Sequence, residues 1–487
     1  MHPLFHVSRR LKTLPAKTSV LVLLIFLIPP SFVCRAQAPA SQGQQVRSFT
    51  LDQGINYALT NYPSIRAARE RISAARAGVS LARTSYLPRA DTLWQSNRAT
   101  RNNIFGLYFA NPVISPISGP VLATTSNQSV WGSAAGLLFS WEPFDFGYRR
   151  AGVSAAKAGQ SRASAESDVT RLDVAVGATS AFMTLVAAQE RVKAARADVE
   201  RRDVFARSVR VLVDNELRPG ADASRANAEL ARARTELIRA EQAEQISRAA
   251  LADILGIAGT RVEIDAGPLL NLPPTTALPG RTASAHPIAV AEKARVDETH
   301  AREQILERSY YPKFNFQSTI FGRGSGANTD GTVADGLNGL GLERSNWAAG
   351  ITVSLPLFDI FSIRARKDIE KSNERAEAAR YDQAIQDLTG QLEEARAALE
   401  GARRVAENTP VELLAARDTE TQAGARYRSG LATVVEVAEA QGLLVQAETD
   451  DALARLAVWN NLASVAAAQG DLQPLIQLLR NTTPGGP

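Results

Sequence analysis

One stretch of the sequence occurs twice, and this repeat constrains the fold more than any other feature. The two copies are TSYLPRA (84–90) and RSYYPKF (308–314), and each closes a long segment rich in Ala and charged residues. The spacing behind them is also repeated, because Pro63 and Pro88 are separated by 25 positions and so are Pro287 and Pro312. A repeat on this scale predicts two similar structural units in tandem.

Changes in the local pattern divide the chain into five segments. They are a leader (1–36), a first repeat half (37–266), a Pro-rich linker (267–284), a second repeat half (285–470) and a C-terminal tail (471–487). The linker contains GPLLNLPPTTALPG, which has neither the period of a helix nor that of a strand. We therefore expect regular structure on both sides of an irregular connection.

The leader has the composition of a secretory signal peptide. Basic residues precede the apolar run SVLVLLIFLI (19–28), which is too short to span a bilayer as an anchor. We expect cleavage after Ala36 by the general secretory route, with twin-arginine export as the less favoured alternative. The only cysteine, Cys34, falls within the leader, and the bulky Val33 before it disfavours a lipid anchor.

Removal of the leader changes the charge balance. Five of the 55 Lys and Arg residues lie in it, which leaves 50 basic residues against 50 acidic ones. A chain without net charge lacks the field that attracts phosphate groups, so no nucleic acid is expected as a partner. The remaining histidines, His286 and His300, have no cysteine beside them, so we expect neither a metal site nor a cofactor. No hydrolase nucleophile motif is present, and we expect no enzymatic activity.

Long segments of both halves have the period of coiled-coil helices. The first apolar seam advances in alternating steps of three and four: Ile65, Ala68, Ile72, Ala75, Val79, Ala82 and Tyr86. No proline occurs between Phe144 and Glu216, so a helix there could reach on the order of 100 Å. The many Ala residues predict closely packed rods, although an ordinary amphipathic helix remains an alternative for the first segment.

Between the helical blocks the apolar residues alternate with a period of two. We predict four strands, at about 86–104, 130–143, 312–323 and 346–357. Ten strand residues rise about 33 Å, and a tilt of roughly 40° reduces this to about 25 Å, the height of the apolar band of an outer-membrane barrel. A soluble sandwich would show the same alternation, and the neighbouring rods favour the barrel.

Tryptophans and loops fit the same interpretation. The aromatic girdle of the barrel is assigned to Trp131, Trp141 and Trp347. Stretches rich in Gly, Asn, Ser and Pro, 106–128 and 324–346, separate the two strands of each pair. We expect these stretches to be surface loops at the outer end of the barrel.

Proline marks every junction between a helix and a strand. From helix to strand the residues are Tyr86 with Pro88 and Tyr310 with Pro312; from strand to helix they are Pro143 with Asp145 and Pro356 with Asp359. Proline ends a helix because its ring imposes an extended approach. Tyrosine suits the boundary between water and an apolar band, and aspartate can cap the next helix.

Taken together, these motifs resemble the TolC-like outer-membrane efflux protein family over about 49–470. The resemblance rests on the tandem halves, the junction motifs and two segments, LRPGADAS (217–224) and YRSGLATVVEVAEAQ (427–441). It implies an α+β membrane protein, in which a long α-helical coiled-coil barrel in the periplasm continues into a transmembrane β-barrel. It also implies a homotrimer with four strands per protomer. Four strands cannot close a barrel alone, and exposed sheet edges are excluded from lipid.

The resemblance assigns the two segments to the tips of helical hairpins, near 220 and 430. Arg218 precedes Gly220 as Arg428 precedes Gly430, which allows a tight reversal between antiparallel helices. In the family these tips meet a periplasmic adaptor protein, where Arg could donate forked hydrogen bonds. The alternative is that Gly only makes the turn and Arg caps a helix C-terminus.

The resemblance also implies a periplasmic gate at Tyr427, Glu436 and Glu439. Three-fold symmetry would place six carboxylates around a constriction and favour cations. Thr433 and Glu436 alternatively form a capping box. Ala432 replaces a frequent gate Arg, and Ala226 is taken as the equivalent of the acidic position in the first half, so a gate closed by Arg–Asp pairs is not expected.

We therefore expect a trimeric outer-membrane exit duct of a tripartite efflux or type I secretion system. Its partners would be outer-membrane lipid, a periplasmic adaptor and an inner-membrane transporter, and it would move substrates from the periplasm or the pump to the exterior. The alternative is a periplasmic coiled-coil scaffold without a membrane barrel. The chain itself does not identify the substrate, because in such systems the pump usually selects the cargo.

Overall fold

The computed structural model describes residues 47–100, 127–275, 279–328 and 332–482. All of them belong to one unit, Gln45–Pro487. The expected signal peptide and nearly all of the first surface loop lie outside the described residues.

The described elements repeat in the same order in the two halves. The helices are α1 (Leu51–Asn61), α2 (Pro63–Thr84), α3 (Tyr148–Asp214), α4 (Gly220–Ile254), α5 (Pro287–Arg308), α6 (Ile360–Arg428), α7 (Val434–Ala468) and α8 (Gln473–Thr482). The strands are β1 (Arg47–Phe49), β2 (Arg89–Thr100), β3 (Ser129–Phe144), β4 (Val262–Ile264), β5 (Lys313–Ser325) and β6 (Arg344–Ser354). Helices α2 and α5 both have 22 residues, α4 and α7 both have 35, and α3 and α6 have 67 and 69. This confirms the predicted tandem repeat.

The long helices form two antiparallel hairpins, α3 with α4 and α6 with α7, while α2 packs along α3 and α5 packs against both α3 and α6. Small residues dominate their contacts, and Ala178, Ala406 and Ala466 are almost fully buried. Part of α3 is apolar enough to cross a membrane by length and composition, but half of that part is buried inside the protein. This burial is typical of a core helix.

A hydrophobic core lies where the two halves meet. Strands β1 and β4 pair in parallel, and the core around them contains Phe182, Leu255 and Leu475. The indole Nε1 of the fully buried Trp459 donates to the carbonyl oxygen of Asn271 at 2.8 Å, which ties the linker to α7. This small sheet was not predicted, because three-residue strands are too short to show a period.

The other four strands form one antiparallel sheet in the order β2-β3-β5-β6. Its register aligns one row of side chains across all strands, namely Thr92, Leu137, Ile320 and Trp347. This face is open, since Ile320 and Trp347 are 68% and 79% exposed. On the opposite face the polar Gln317 and Thr319 are buried, as on the inner side of a curved sheet, and we call it the concave face. The outer strands β2 and β6 have no further strand partner among the described residues.

The second surface loop partly covers the open face at the end of the sheet farthest from the helices. The hydroxyl of Ser133 donates to the carbonyl oxygen of Gly341 at 3.3 Å, and the amide of Gly326 donates to Trp131 O at 2.8 Å. Glycine is required here: a Cβ atom on Gly324 would lie 1.8 Å from the oxygen of Gly341.

Candidate gate at the hairpin tips

The two helical hairpins reverse with the same backbone geometry. Helices α3 and α6 each end in a left-handed residue, Glu216 with φ of 59° and Gly430 with φ of 82°. The amide of the next residue closes the same bond to the helix in both cases, Leu217 N to Leu212 O and Leu431 N to Arg426 O, each at 2.9 Å. Glu216 is therefore the structural counterpart of Gly430.

This register corrects the predicted alignment of the tips by four residues. Arg218 corresponds to Ala432, and Gly220 corresponds to Val434 rather than to Gly430. Gly220 is the first residue of α4, with no left-handed backbone, so it does not make the reversal. The reversal is set by the hydrogen bonds at the helix end, which Glu216 completes without glycine.

The same register identifies a different acidic counterpart of Glu436. We predicted Ala226 at this position, but the residue in the third position of α4 is Asp222, just as Glu436 is third in α7. Ala226 instead lies in the core between the hairpins and is 3% exposed.

Tyr427 is the centre of a cluster that joins the two hairpins. Its side chain is 1% exposed and packs edge-on against Phe205 of α3, with ring centroids 5.2 Å apart. The Arg218 guanidinium lies over the Tyr427 ring at 4.6 Å and donates through Nη2 to the Tyr427 carbonyl oxygen at 2.7 Å. The Tyr427 hydroxyl donates to Oδ2 of Asp222 at 3.3 Å. The first tip thus holds the second from both sides.

Arg218 combines parts of both interpretations made from the sequence. It does cap a helix C-terminus, because the carbonyl of Tyr427 is in the last turn of α6, but this helix belongs to the other hairpin. Arg428 is exposed on the surface instead. Neither the burial of Tyr427 nor the role of Arg218 was predicted, since the contacts join residues 205 to 209 positions apart.

The electrostatics of the cluster keep the tyrosine protonated. Burial raises the pKa of Tyr427, and the negative charge and hydrogen bond of Asp222 raise this pKa further, against the opposing effect of Arg218. The hydroxyl therefore remains a hydrogen-bond donor at physiological pH. The arrangement can act as a latch between hairpins that opens when the bond to Asp222 is lost.

Glu436 and Glu439 are both exposed on the first turns of α7. The Glu436 carboxylate accepts from the Thr433 amide at 3.0 Å, while the Thr433 hydroxyl accepts from the Glu436 amide at 3.3 Å. The capping box is thus present. The hydrogen bond from the Thr433 amide lowers the pKa of Glu436, which keeps its charge. An exposed, ionised carboxylate can contribute to an acidic ring while it caps its helix.

A groove of about 540 Å³ runs between the hairpins beside the cluster and is lined by Phe205, Leu212, Tyr427 and Val437 among others. Two leucines lie next to the reversals, and Leu217 and Leu431 are 69% and 70% exposed. They occupy equivalent positions after the left-handed residues. Sequence patterns did not identify them, although a leucine after each reversal was a usable signal.

The first junction between strand and helix is held by an ion pair that the sequence did not predict. Asp145 accepts from the Gly147 amide at 3.1 Å and from the Arg149 amide at 2.7 Å, so it caps α3. Arg149 Nε donates to Asp145 at 2.7 Å, and Arg149 Nη1 reaches the Ser85 carbonyl oxygen at 3.1 Å. Burial raises the pKa of Asp145, but the hydrogen bonds from Arg149 and Gly147 outweigh burial and lower this pKa overall.

The second junction differs, and the cap expected from Asp359 is wrong. Asp359 occupies the N-cap position of α6, but its backbone is helical and its side chain makes no cap bond. The helix therefore starts without the sharp turn of the first junction, where Phe146 and Gly147 are both left-handed. Pro356 follows the end of β6, whereas Pro143 lies inside β3 next to a register shift.

The remaining predicted junction and girdle residues lie at the ends of the sheet. Pro88 and Pro312 each directly precede a strand, four residues after the helix, and Tyr86 is 43% exposed while Tyr310 is half-buried. Trp141 donates through Nε1 to the carbonyl oxygen of Tyr86 at 3.3 Å, at the helical end.

The other tryptophans lie nearer the outer end of the sheet. Trp131 is half-buried under the guanidinium of Arg98, and Trp347 is 79% exposed. Trp94, which is 74% exposed on the same face, was missed because β2 has few other apolar residues.

The histidines have structural positions. His286 is the N-cap of α5, and His300 contacts Glu374 at 3.1 Å. Within the part of the chain that the structure describes, no three His, Cys, Asp or Glu side chains are grouped as metal ligands.

Comparisons with known proteins agree with this geometry. The family model described as "Outer membrane efflux protein" matches residues 54–257 and 280–471. The chain is 23% identical over 410 residues to the pyoverdine export outer membrane protein OpmQ of Pseudomonas aeruginosa, across 84% of this chain and 82% of that protein. It is 25% identical over 462 residues to protein CyaE of Bordetella pertussis, across 91% and 90%. The solved Campylobacter jejuni CmeC outer membrane channel has the same fold, with a TM-score of 0.69 at 18% identity over 86% of this chain and 85% of that one.

Proposed function

The chain belongs to the outer membrane efflux protein family, and from this premise we propose that three copies form one exit duct through the outer membrane and the periplasm. It is an outer-membrane channel for efflux or secretion. Each copy contributes four strands to a closed barrel and two hairpins to a helical tunnel. A periplasmic adaptor and an inner-membrane transporter complete the assembly.

The sheet carries this proposal. Its open face exposes large apolar side chains, whereas most of the polar side chains lie on the concave face beside the small buried cluster of Ala134 and Phe321. Exposed apolar side chains are the reverse of a soluble sandwich and suit a wall between lipid and water. Within the described residues, strands β2 and β6 each have one edge without a strand partner, and such an edge cannot remain exposed in lipid. Pairing β6 of one copy with β2 of the next satisfies every edge. The alternative of a periplasmic scaffold without a barrel leaves the exposed apolar face unexplained.

The internal repeat indicates how neighbouring copies meet. Within one copy, Tyr311 of the second half stacks on Phe146 of the first, with ring centroids 5.3 Å apart. The repeat places Leu87 at the position of Tyr311 and Ile360 at that of Phe146, and these two are 65% and 44% exposed. Leu87 of one copy therefore packs against Ile360 of the next.

Paired cysteines test this contact. We expect Leu87→Cys with Ile360→Cys to form covalent trimers under oxidising conditions, because the two side chains meet between neighbouring copies. Removal of the leader with Cys34 leaves no other cysteine to cross-link. The products are separated by non-reducing electrophoresis of the outer-membrane fraction, and each single variant is the control. A detergent-free soluble monomer that does not cross-link would contradict the duct.

At the periplasmic end, Tyr427, Glu436 and Glu439 form the gate. Glu436→Gln with Glu439→Gln removes six carboxylates from the trimer, so we expect a lower cation preference in single-channel recordings. Glutamine retains the hydrogen-bonding capacity of the capping box, which keeps the start of α7 formed. Unchanged ion selectivity would remove the two glutamates from the gate.

The adaptor meets the tips around Arg428, Gly430 and the groove between the hairpins. Arg218 and Gly220 contribute from the other tip, Arg218 through its hold on Tyr427. Leu217 and Leu431 offer apolar contacts, and leucine to serine changes at both should weaken adaptor capture in a pull-down.

The neighbouring genes distinguish efflux from secretion: an ion-driven pump indicates efflux and an ATP-driven exporter indicates type I secretion.

A further inference from the structure

Two arginines lie directly opposite each other near the outer end of the sheet. Arg323 of β5 pairs with Arg344 of β6 in the antiparallel register, so both side chains leave the same face. Nη1 of Arg323 is buried without a hydrogen-bond partner. Within the described part of the chain, neither guanidinium forms an ion pair with a carboxylate. Like charges at directly opposite positions destabilise a sheet, so this pair has an uncompensated cost.

The pair lies on the concave face. Counting along β5 in steps of two, Arg323 shares a face with Gln317 and Thr319, which are buried, while Ile320 on the other face is 68% exposed. In the closed barrel of the proposed function, on which this step rests, the concave face lines the lumen. Arg323 and Arg344 therefore extend into the exit path.

The charges along this face are unevenly distributed. At the helical end, Arg89 forms an ion pair with Asp91 at 2.8 Å, so the two cancel. At the outer end, Arg323 lies opposite Ala134 of β3, and Ala134 lies opposite Gln95 of β2. Both of these neighbours are uncharged. Three copies thus place six guanidinium groups at one level of the lumen.

We propose that Arg323 and Arg344 form a ring that binds anions in the outer part of the barrel. Rings of Arg or Lys select anions in pores, because the summed field raises the local anion concentration. Guanidinium groups also match carboxylate and phosphate oxygens with forked hydrogen bonds. The ring favours cargo that carries carboxylate or phosphate groups at the exit.

Block of the channel by a polyanion tests the ring. Purified full-length trimers are placed in planar bilayers in 0.1 M KCl, and tripolyphosphate is added on the barrel side. We expect Arg323→Gln with Arg344→Gln to raise the half-blocking concentration on the order of tenfold or more. Raising KCl to 1 M should weaken the block of the wild type, because the Debye length falls to about 3 Å.

Two further variants make the outcome specific. Arg98→Gln removes an arginine from the opposite face of the sheet and should leave the half-blocking concentration unchanged. Arg344→Gln alone changes an exposed side chain and should give an intermediate effect, even if the double variant fails to form trimers. Equal block of wild type and Arg344→Gln channels would overturn the ring and leave the duct intact. A wild type without any conductance would overturn the duct and the ring together.

Discussion

The two hairpin tips have one backbone geometry and two different chemistries. In the second tip, Thr433 and Glu436 cap their own helix. In the first tip the cap position is Pro219, which makes no side-chain cap bond, so the equivalent acid Asp222 is free to accept the Tyr427 hydroxyl. The equivalent acid thus caps its own helix in one tip and joins the two hairpins in the other. Equivalent positions need not keep equivalent roles.

The C-terminal ends of α4 and α7 likewise share a backbone geometry but differ in their side-chain contacts. Helices α4 and α7 both end in a left-handed glycine, Gly256 with φ of 74° and Gly470 with φ of 76°. Each glycine packs against the residues that start the first long helix of its own half, Tyr62 in one and His286 in the other. Tyr62 makes no side-chain cap bond, whereas His286 accepts from the amide of Ile288. The repeat end at Gly470 is therefore the more closely packed of the two ends.

The largest expected difference between the halves is the effect of alanine at these glycines. A Cβ atom on Gly470 would lie 2.5 Å from Cδ of Pro287, whereas one on Gly256 would lie 3.3 Å from the Asn61 carbonyl oxygen. Both changes cost about 1–2 kcal/mol for the left-handed backbone, and Gly470→Ala adds about 1–3 kcal/mol of overlap. Urea unfolding followed by circular dichroism measures both.

Gly424→Ala is the control for this comparison. Gly424 is helical, with open space around the added atom, so alanine there should not destabilise the protein. Equal losses from Gly256→Ala and Gly470→Ala would mean that the two repeat ends are packed equally.

The next largest effect concerns the hold of the first tip on the second. Arg218→Met keeps a long apolar side chain but removes the hydrogen bond to the Tyr427 carbonyl and the cation over its ring. We expect a loss of about 1–3 kcal/mol and a higher open probability in single-channel recordings. Arg428→Met, on the exposed neighbour of Tyr427, is the matched control. Equal open probabilities for both variants would show that the cluster is not a latch.

These tips also show what could be predicted from the sequence. The repeat, the four-stranded sheet and the junction prolines were accessible, because periods and proline act over short distances. The alignment of the tips was wrong by four residues, since RPG and RSG look alike while the left-handed residue of the first tip is Glu216. A glutamate carries no turn signal, so only the backbone reveals its position.

Contacts between the halves were inaccessible for a second reason. Phe205, Asp222 and Tyr427 come together only through packing of the hairpins, and no local pattern relates their positions. The apolar face of β6 was predictable because Trp347, Ile351 and the residues between them alternate. The Arg149 ion pair was missed because a buried arginine resembles any surface arginine in sequence.

A smaller effect is expected from exchanging the left-handed residues of the two tips. Glu216→Gly should stabilise the protein by about 1 kcal/mol, because glycine adopts this backbone without strain. Gly430→Glu should destabilise it by about 1–2 kcal/mol for the converse reason. Urea unfolding again provides the measurement, and Asn215→Gly, next to Glu216 but not left-handed, serves as the control. A loss of stability from Glu216→Gly would mean that the glutamate makes a contribution beyond its backbone.

The smallest effect is a pH dependence confined to the second half. Nδ1 of His286 accepts from the Ile288 amide at 3.2 Å and Nε2 lies 3.1 Å from the Ala467 carbonyl oxygen, an arrangement that the neutral ring with its proton on Nε2 satisfies. Burial lowers the pKa of His286 below its ordinary value of 6.5. The contribution of His286 to stability is therefore complete above pH 6.5 and is lost as the pH falls through the lower pKa of the folded protein.

Replacing His286 with asparagine keeps a side chain that can cap α5 but removes the group that is protonated in acid. His286→Asn can still cap α5 but has no proton to gain, so we expect the wild type to lose more stability than the variant between pH 7.5 and pH 5. Below pH 6.5 the unfolded wild type gains a proton on this ring, whereas the folded protein can gain it only by losing the bond from the Ile288 amide to Nδ1. Tyr62 in the first half has no such bond to lose. Urea unfolding at the two pH values measures the difference, and identical losses for wild type and His286→Asn would show that protonation of this ring does not destabilise the fold.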